Sequence, residues 1–485
     1  MSLQIRLAAA LMLIMAGGCA QLGLKSVPWP TSTVVHDREA LRFLRGGPAI
    51  EAELGDGISG KDVGADGRLI GLSASGGGAR ATAFTLGVLA ELQTVRTSDG
   101  TDLLEALDFI SSNSGGSWAV AAYLADRSEA VGGEYRLVDR APVLASSFVS
   151  ASSGRVTCWR DALVRVVGAK TMGEIYSGEV GRKLPRAFMN ASLLPSHSPF
   201  VFSDAFIQHY RVSRFGTCGD QWEPAIDSVS QVSLAFAASA SGTVPGFYHA
   251  FASTRLCGDG RPEAVPSFCH TSRRGGQLDH LRIADGGLYD NIGYKTAFEL
   301  MSSFSGTQLR RRALILVNSA TSTELESVSS GARKRSFLTT TAANGVFANQ
   351  DASFERLHGP MFKAVGVDRI VLLDFLSVAG FNIAREEDLR GLGKLVFYAA
   401  HNVNCYVDPG YHKAKVRKVP RDADVARSLD DLKRLGGDCL SENFYRTGTL
   451  AKTTYGFDRD MFDVLFQLGQ LSVRMNRARL LTLLD

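Results

Sequence analysis

The sequence lacks a strong charge imbalance. Against 49 acidic residues stand 53 Lys and Arg, a formal net charge of +4 over 485 residues, and no long Lys/Arg run offers the basic footprint that nucleic acid requires. Nucleic acid is therefore set aside as a partner. Paired metal-ligand spacings are missing too: no CxxC or HxxxH pair occurs, nor any ligand set of EF-hand spacing, so no metal and no cofactor is expected. There is no repeat of solenoid period and no low-complexity linker to divide the chain. Past the N-terminus, no segment is long and apolar enough to span a bilayer. What is present is 45% apolar and 21% charged residues, enough for one large elaborated domain or two smaller ones.

The N-terminal stretch MSLQIRLAAALMLIMAGGC joins one early basic residue, Arg6, to an apolar run from Leu7 to Ala16 that is too short for a permanent span. Residues 1–18 read as a secretory signal. Its end, AGGC, resembles a bacterial lipobox, which implies that Cys19 is lipidated and anchors the protein to a membrane; Ala16 stands where Leu is usual. Ala20 after the cysteine favours, by analogy with lipoproteins, the outer membrane, with the protein facing the periplasm. Secretion or surface exposure is the alternative, and an ordinary signal peptide with an incidental cysteine is the competing reading. The other six cysteines, Cys158, Cys218, Cys257, Cys269, Cys405 and Cys439, are an even set that an oxidising compartment would pair. Six cysteines allow fifteen connectivities. Neighbours in sequence suggest Cys158 with Cys218, Cys257 with Cys269, and Cys405 with Cys439.

After a Pro-containing tether and Gly-rich extension (19–67), a pattern repeats. RLIGLSA (68–74) is a short apolar strand, SGGGAR a glycine turn, and ATAFTLGVLAELQTV has apolar residues at helical spacing. DFISSNSGGSWAVAAYL (108–124) follows the same plan, and HLRIADGGLYDN with YKTAFELMSSF supplies a third strand, turn and helix. RRALILVNSA and DRIVLLDF read as further buried strands, and the C-terminus carries a long amphipathic helix. The expectation is an α/β three-layer sandwich, a mostly parallel central sheet flanked by helices. The core spans 68–320, an inserted cap occupies about 127–229, and 321–485 completes the same fold. Within the cap, NASLLPSHSPFVF is either a lid or interfacial loop or a covered core segment.

The three glycine turns carry the chemistry. In the first, the backbone N–H groups of Gly76, Gly77 and Gly78 can point at a phosphate or at a developing oxyanion, with Arg80 supporting the loop or meeting a phosphate. In the second, Ser114 follows Ser112 and precedes Gly116 at a spacing close to the G-x-S-x-G nucleophile elbow, with Ser112 in place of the first glycine. Ser117 is the competing nucleophile, and Ser111, Ser112 and Ser117 otherwise read as packing or capping residues. The third turn offers Asp285, a base for serine or an ordinary turn aspartate.

The ordered set SGGGAR, SNSGGSW, FAASASGTVPGF and ADGGLYDN, over roughly 69–320, resembles the patatin-like phospholipase family, with features of its cytosolic phospholipase branch. The resemblance implies a Ser114–Asp285 dyad without histidine, an oxyanion hole at Gly76 to Gly78 with Arg80 beside it, and acyl-ester hydrolysis of membrane phospholipids or lysophospholipids. Three other readings stand beside it. A Ser-His-Asp hydrolase would draw on His358 or His401. A dinucleotide site would use Gly76, Gly78 and Ala81 with an acid among Asp99, Asp102 and Glu105. A non-catalytic lipoprotein would keep the fold as a scaffold. The oligomeric state is not legible.

Overall fold

The computed structural model describes residues between 67 and 484; the larger intervals outside the description are 255–279, 320–361, 379–385, 404–416, 435–442 and 449–454. The N-terminal signal, the tether and the lipidation candidate Cys19 lie outside the described residues.

The described strands form one ten-stranded sheet. In chain order they are β1 (Arg68–Ala74), β2 (Phe109–Asn113), β3 (Arg186–Leu194), β4 (Ser198–Val201), β5 (Val212–Thr217), β6 (Gln221–Trp222), β7 (Ala250–Thr254), β8 (His280–Asp285), β9 (Arg311–Asn318) and β10 (Arg369–Asp374). The spatial order is β10-β9-β1-β2-β3-β8-β7-β5-β6, with β4 paired to β3. From β10 to β3 every pairing is parallel, and from β3 outward every pairing is antiparallel. The sheet is thus mixed, not mostly parallel as the sequence suggests. Part of the reason is local: only three residues separate β3 from β4 and β5 from β6, and connections that short can join only antiparallel strands.

Helices α1 (Gly78–Leu92), α2 (Ser114–Glu129), α3 (Leu137–Ser152), α4 (Trp159–Val167), α5 (Leu234–Ser241), α6 (Gly287–Asp290), α7 (Tyr294–Ser303), α8 (Gly393–Asn402) and α9 (Arg459–Met475) cover the sheet. α7 packs on β1 and β2, while α1 packs against both α2 and α9, which gives a three-layer α/β sandwich. α1 is buried along its whole length, because α9 covers its outer side. The two helices approach backbone to backbone: a Cβ on Gly87 would lie 1.9 Å from Phe466 O, and one on Gly469 would lie 2.2 Å from Phe84 O. Beside that crossing, Arg474 Nε meets the buried Glu91 carboxylate at 2.8 Å.

The interval 127–229, expected as an inserted cap, contains the central strand β3 as well as β4, β5 and β6. The described residues of NASLLPSHSPFVF are core and not lid: they form the end of β3 and all of β4, with Leu193, Phe200 and Phe202 buried. Beyond 320, β10 closes one edge of the same sheet, and α9 packs on α1. No helix among the described residues is long and apolar enough to cross a membrane.

Candidate active site

Strand register brings the turns together. β2 ends where Asn113 pairs with Asn190 of β3, and β8, running the other way, ends where Asp285 pairs with Ala191. Successive side chains alternate faces along a strand, so Asp285 shares a face with Ala191 and Asn113 shares the opposite face with Asn190. Ser114, one residue past Asn113, returns to the face of Asp285. The smallest β3 side chain along this stretch, Ala191, lies between them. Ser114 Oγ donates to Asp285 Oδ2 at 2.9 Å.

Ser114 has φ 46°, a conformation that costs a non-glycine residue about 1–2 kcal/mol. The surroundings hold it there. Its N–H donates to Ser241 Oγ at 2.9 Å, and Ser241 Oγ in turn donates to Asn190 O at 2.6 Å. Gly115 and Gly116 let the start of α2 lie against the first glycine turn: a Cβ on Gly115 would sit 2.1 Å from Gly78 O, and one on Gly116 would sit 2.6 Å from Ser75 O. Strand β1 ends level with Ser112 of β2, so the turn that follows reaches Ser114, and a Cβ on Gly76 would lie 3.2 Å from Ser114 Cβ.

Within that turn the three glycines are not equivalent. Gly76 N–H donates to Asn291 O at 2.8 Å, so the expected contribution of Gly76 to an oxyanion hole is withdrawn: its donor is already used. Gly77 (φ 135°) and Gly78 (φ 58°) adopt backbone conformations that favour glycine. No side chain caps this N-terminus of α1, and the first amides of a helix have no intrahelical acceptor. Gly77 O accepts from Ala81 N inside the helix, which turns the Gly78 N–H outward. Arg80 is buried in the first turn, its guanidinium 5.9 Å from the Phe375 ring; a Cβ on Gly77 would come within 3.5 Å of Arg80 Nη2. It lies alongside the glycine turn.

Asp285 is buried, and its surroundings define its charge. Burial pushes its carboxyl up to about 6, against the pull of hydrogen bonds from Gly287 N–H and the Ser114 hydroxyl. Gly287 N donates to Oδ1 at 2.8 Å, so the two carboxylate oxygens have different partners. Asp285 N donates to Thr243 O, and Gly286 N to Ser241 O. Tyr455, from the C-terminal part, braces the same 242–244 segment, donating to Gly242 O and accepting from Val244 N at 3.0 Å. Burial, and secondarily the nearby Asp285 charge, raises the Tyr455 phenol.

The remaining serines of the second turn have structural partners. Ser111 Oγ donates to Gly293 O and accepts from Asn190 Nδ2; Ser117 Oγ lies 3.0 Å from Ser112 Oγ and 2.8 Å from Ser241 Oγ. None of them caps α2, whose start has no side-chain cap. His401 meets Asp431 at 3.5 Å and packs on Phe397, while His358 lies outside the described residues. Asp102 caps the short helix Leu103–Ala106 through Glu105 N, and Glu105 lies 3.8 Å from Arg127; both have roles away from the glycine turn, and Asp99 is outside the described residues. Cys158 is disulfide-bonded. Cys218, Cys257, Cys269, Cys405 and Cys439 all lie outside the described residues, so its partner does as well. Among the described residues no cluster of His, Cys, Asp and Glu is arranged to hold a metal.

Sequence reasoning missed Asn190, Ser241, Asn291, Ser319 and Tyr455. Asn190, Ser241, Asn291 and Ser319 all stood in quoted segments, NASLLPSHSPFVF, FAASASGTVPGF, ADGGLYDN and RRALILVNSA, but nothing in their sequence neighbours set them apart, and Tyr455 stood in none.

Residues 72–298 match the Patatin family model, described as patatin-like phospholipase. The match supports the patatin fold and lipid ester hydrolysis in general. No curated protein matches the chain. Among solved structures, human GIVD cytosolic phospholipase A2 is similar over 92% of this chain and 66% of its own, at 13% identity and a TM-score of 0.40. Its complex with methyl gamma-linolenyl fluorophosphonate gives 14%, 0.40 and 63% of that chain. The complex that also contains terbium chloride gives 14%, 0.41 and 64%. The chain thus spans a little under two thirds of the length of these human structures.

Proposed function

We propose that the protein is a serine-dependent acyl hydrolase of the phospholipase A or lysophospholipase type, with Ser114 as nucleophile and Asp285 as its base. One observation carries the reading: the Ser114 hydroxyl, on a strained strand-to-helix turn, donates directly to a buried carboxylate with no imidazole between them. In the first half-reaction Asp285 takes the Ser114 proton as Oγ attacks the ester carbonyl carbon. The tetrahedral oxyanion meets the Gly77 and Gly78 N–H groups at the positive end of α1. Collapse of the intermediate expels the alcohol, which leaves with the proton from Asp285, and an acyl-Ser114 ester remains. Water then gives a proton to Asp285 as it attacks, and the fatty acid departs as Ser114 recovers its hydrogen. Asp285 can cycle in this way because burial makes it a stronger base than an exposed aspartate.

Arg80, beside the glycine turn, is assigned to loop support and not to direct headgroup contact, in keeping with its burial against Phe375. Lipidation at Cys19 would hold the enzyme at the membrane that supplies its substrate, in the bacterial cell envelope, and the disulfide at Cys158 fits an oxidising compartment. The deciding experiment treats wild type and Ser114→Ala with a fluorophosphonate probe and analyses products from defined diacyl and lysophospholipids by mass spectrometry. Labelling and fatty-acid release by wild type alone are expected. Failure of wild type to label or to cleave any acyl ester would leave the fold as a scaffold.

A further inference from the structure

An oxyanion donor on the glycine turn is useful only if the Gly76–Gly77 peptide is held one way round. In a trans peptide the carbonyl and the following N–H point in opposite directions. Gly76 O accepts from Ser319 Oγ at 3.0 Å and lies 3.2 Å from Ser75 Oγ. Ser319 N donates to Ser75 Oγ at 2.8 Å, and the two hydroxyl oxygens are 3.0 Å apart. One arrangement gives every proton a strong acceptor: Ser75 O–H to Ser319 Oγ, Ser319 O–H to Gly76 O, and Ser319 N–H to Ser75 Oγ. Both serines are fully buried, where such a chain is stronger than in water.

Sheet order gives this hold a direction. Ser319 directly follows β9, and β9 and β2 flank β1 on opposite sides. A Gly76 carbonyl drawn toward the β9 side turns the Gly77 N–H toward the β2 side, where Ser114 begins α2. The Asn291 carbonyl fixes the other end of Gly76, so the residue is held from both sides. We propose that Ser319, backed by Ser75, is a positioning residue that aims the Gly77 N–H at the oxyanion. The inference rests on the Ser114–Asp285 reading. Ser319 lies beyond residues 72–298, the interval of the family match, and touches neither nucleophile nor base.

The test compares wild type, Ser319→Ala, Ser319→Thr and Ser75→Ala by kcat and KM on a chromogenic acyl ester, and by inhibition with a trifluoromethyl ketone that adds serine to form a tetrahedral adduct. Removing an oxyanion donor outright costs about a hundredfold or more in kcat; releasing one from its hold should cost about tenfold. Ser319→Ala is expected to lower kcat by that factor, to leave KM within about threefold, and to weaken the ketone in proportion to kcat. Ser319→Thr keeps the hydroxyl and should recover most of the loss. A kcat within about twofold of wild type overturns the proposal, as does a kcat loss with ketone binding unchanged. If Ser319→Ala does not fold, Ser75→Ala decides: a smaller kcat loss at constant KM supports the positioning role, and unchanged kcat overturns it. Fluorophosphonate labelling of wild type separates this failure from failure of the dyad.

Discussion

Titration of Asp285 should set both the acid limb of activity and a measurable part of stability. Burial is the largest influence on this carboxyl and brings it to about 6. A base must be ionised to accept the serine proton, so kcat/KM follows the ionised fraction, about 0.9 at pH 7 and about 0.1 at pH 5. Between pH 8 and pH 5 the rate should therefore fall about tenfold, whereas a carboxyl left at its ordinary 3.8 would lose less than about a tenth. The effect on stability has the opposite sign. The folded protein holds this proton more tightly than the unfolded chain does, so the group costs stability as pH rises from 3.8 to about 6. At about 1.4 kcal/mol per pH unit that gap reaches a ceiling of about 3 kcal/mol at pH 8. Asp285→Asn should abolish turnover yet raise the melting temperature at pH 8, with little change near pH 4. Asp290, also pushed to about 6 by burial, is the other buried carboxyl nearby, and Asp290→Asn should leave the acid limb in place. Initial rates on a chromogenic ester and calorimetry across pH 4.5 to 8.5 make the comparison. A profile flat down to pH 4.5, or an Asp285→Asn protein less stable than wild type at pH 8, would refute the reasoning.

Three other substitutions probe separate parts of the structure. Gly469→Ala puts a methyl group against Phe84 O, 2.2 Å away before relaxation, and forces α9 off α1; a loss of about 1–3 kcal/mol in urea denaturation is expected, and an unchanged midpoint would contradict the close crossing. His401→Ala removes a 3.5 Å contact with Asp431 and a ring contact with Phe397, so kcat should stay within about twofold and stability should fall by no more than about 1 kcal/mol; loss of turnover in a folded protein would reinstate a histidine triad. Ser241→Ala strips the Ser114 N–H of its acceptor and Asn190 O of a donor. It should cost about 1–3 kcal/mol in a thermal melt and reduce kcat more than KM; full activity would show that Ser241 is not needed to hold the turn.

The parts of this fold that could be read in advance are those where burial and turn chemistry agree. β1 and β9 are apolar runs buried along nearly their whole length, and β1, β2 and β8 each run into a serine or aspartate followed by glycine, at Ser75, Ser114 and Asp285, so the strands and the three turns were visible. β3 was hidden because its sequence, RAFMNASLL, places Asn190 and Ser192 in the middle of a buried strand, where a propensity argument expects a loop. Asn190 is polar for a reason that only the assembled fold supplies. Its amide reaches Ser111 Oγ and Ser112 O, its side-chain oxygen accepts from Thr296, and its carbonyl accepts from Ser241. A residue with bonds to β2, α7 and α5 cannot be recognised from its neighbours in sequence. The same limit explains the glycine turn. Three consecutive glycines announce exposed amides, but the removal of Gly76 depends on a carbonyl 215 positions later, at Asn291, and the orientation of Gly77 on a serine hydroxyl at the end of β9. The switch from parallel to antiparallel pairing at β3 is the step that joins these cases. It points the ends of β2 and β8 toward each other over Ala191, which lets serine and aspartate touch directly, with no side chain between them.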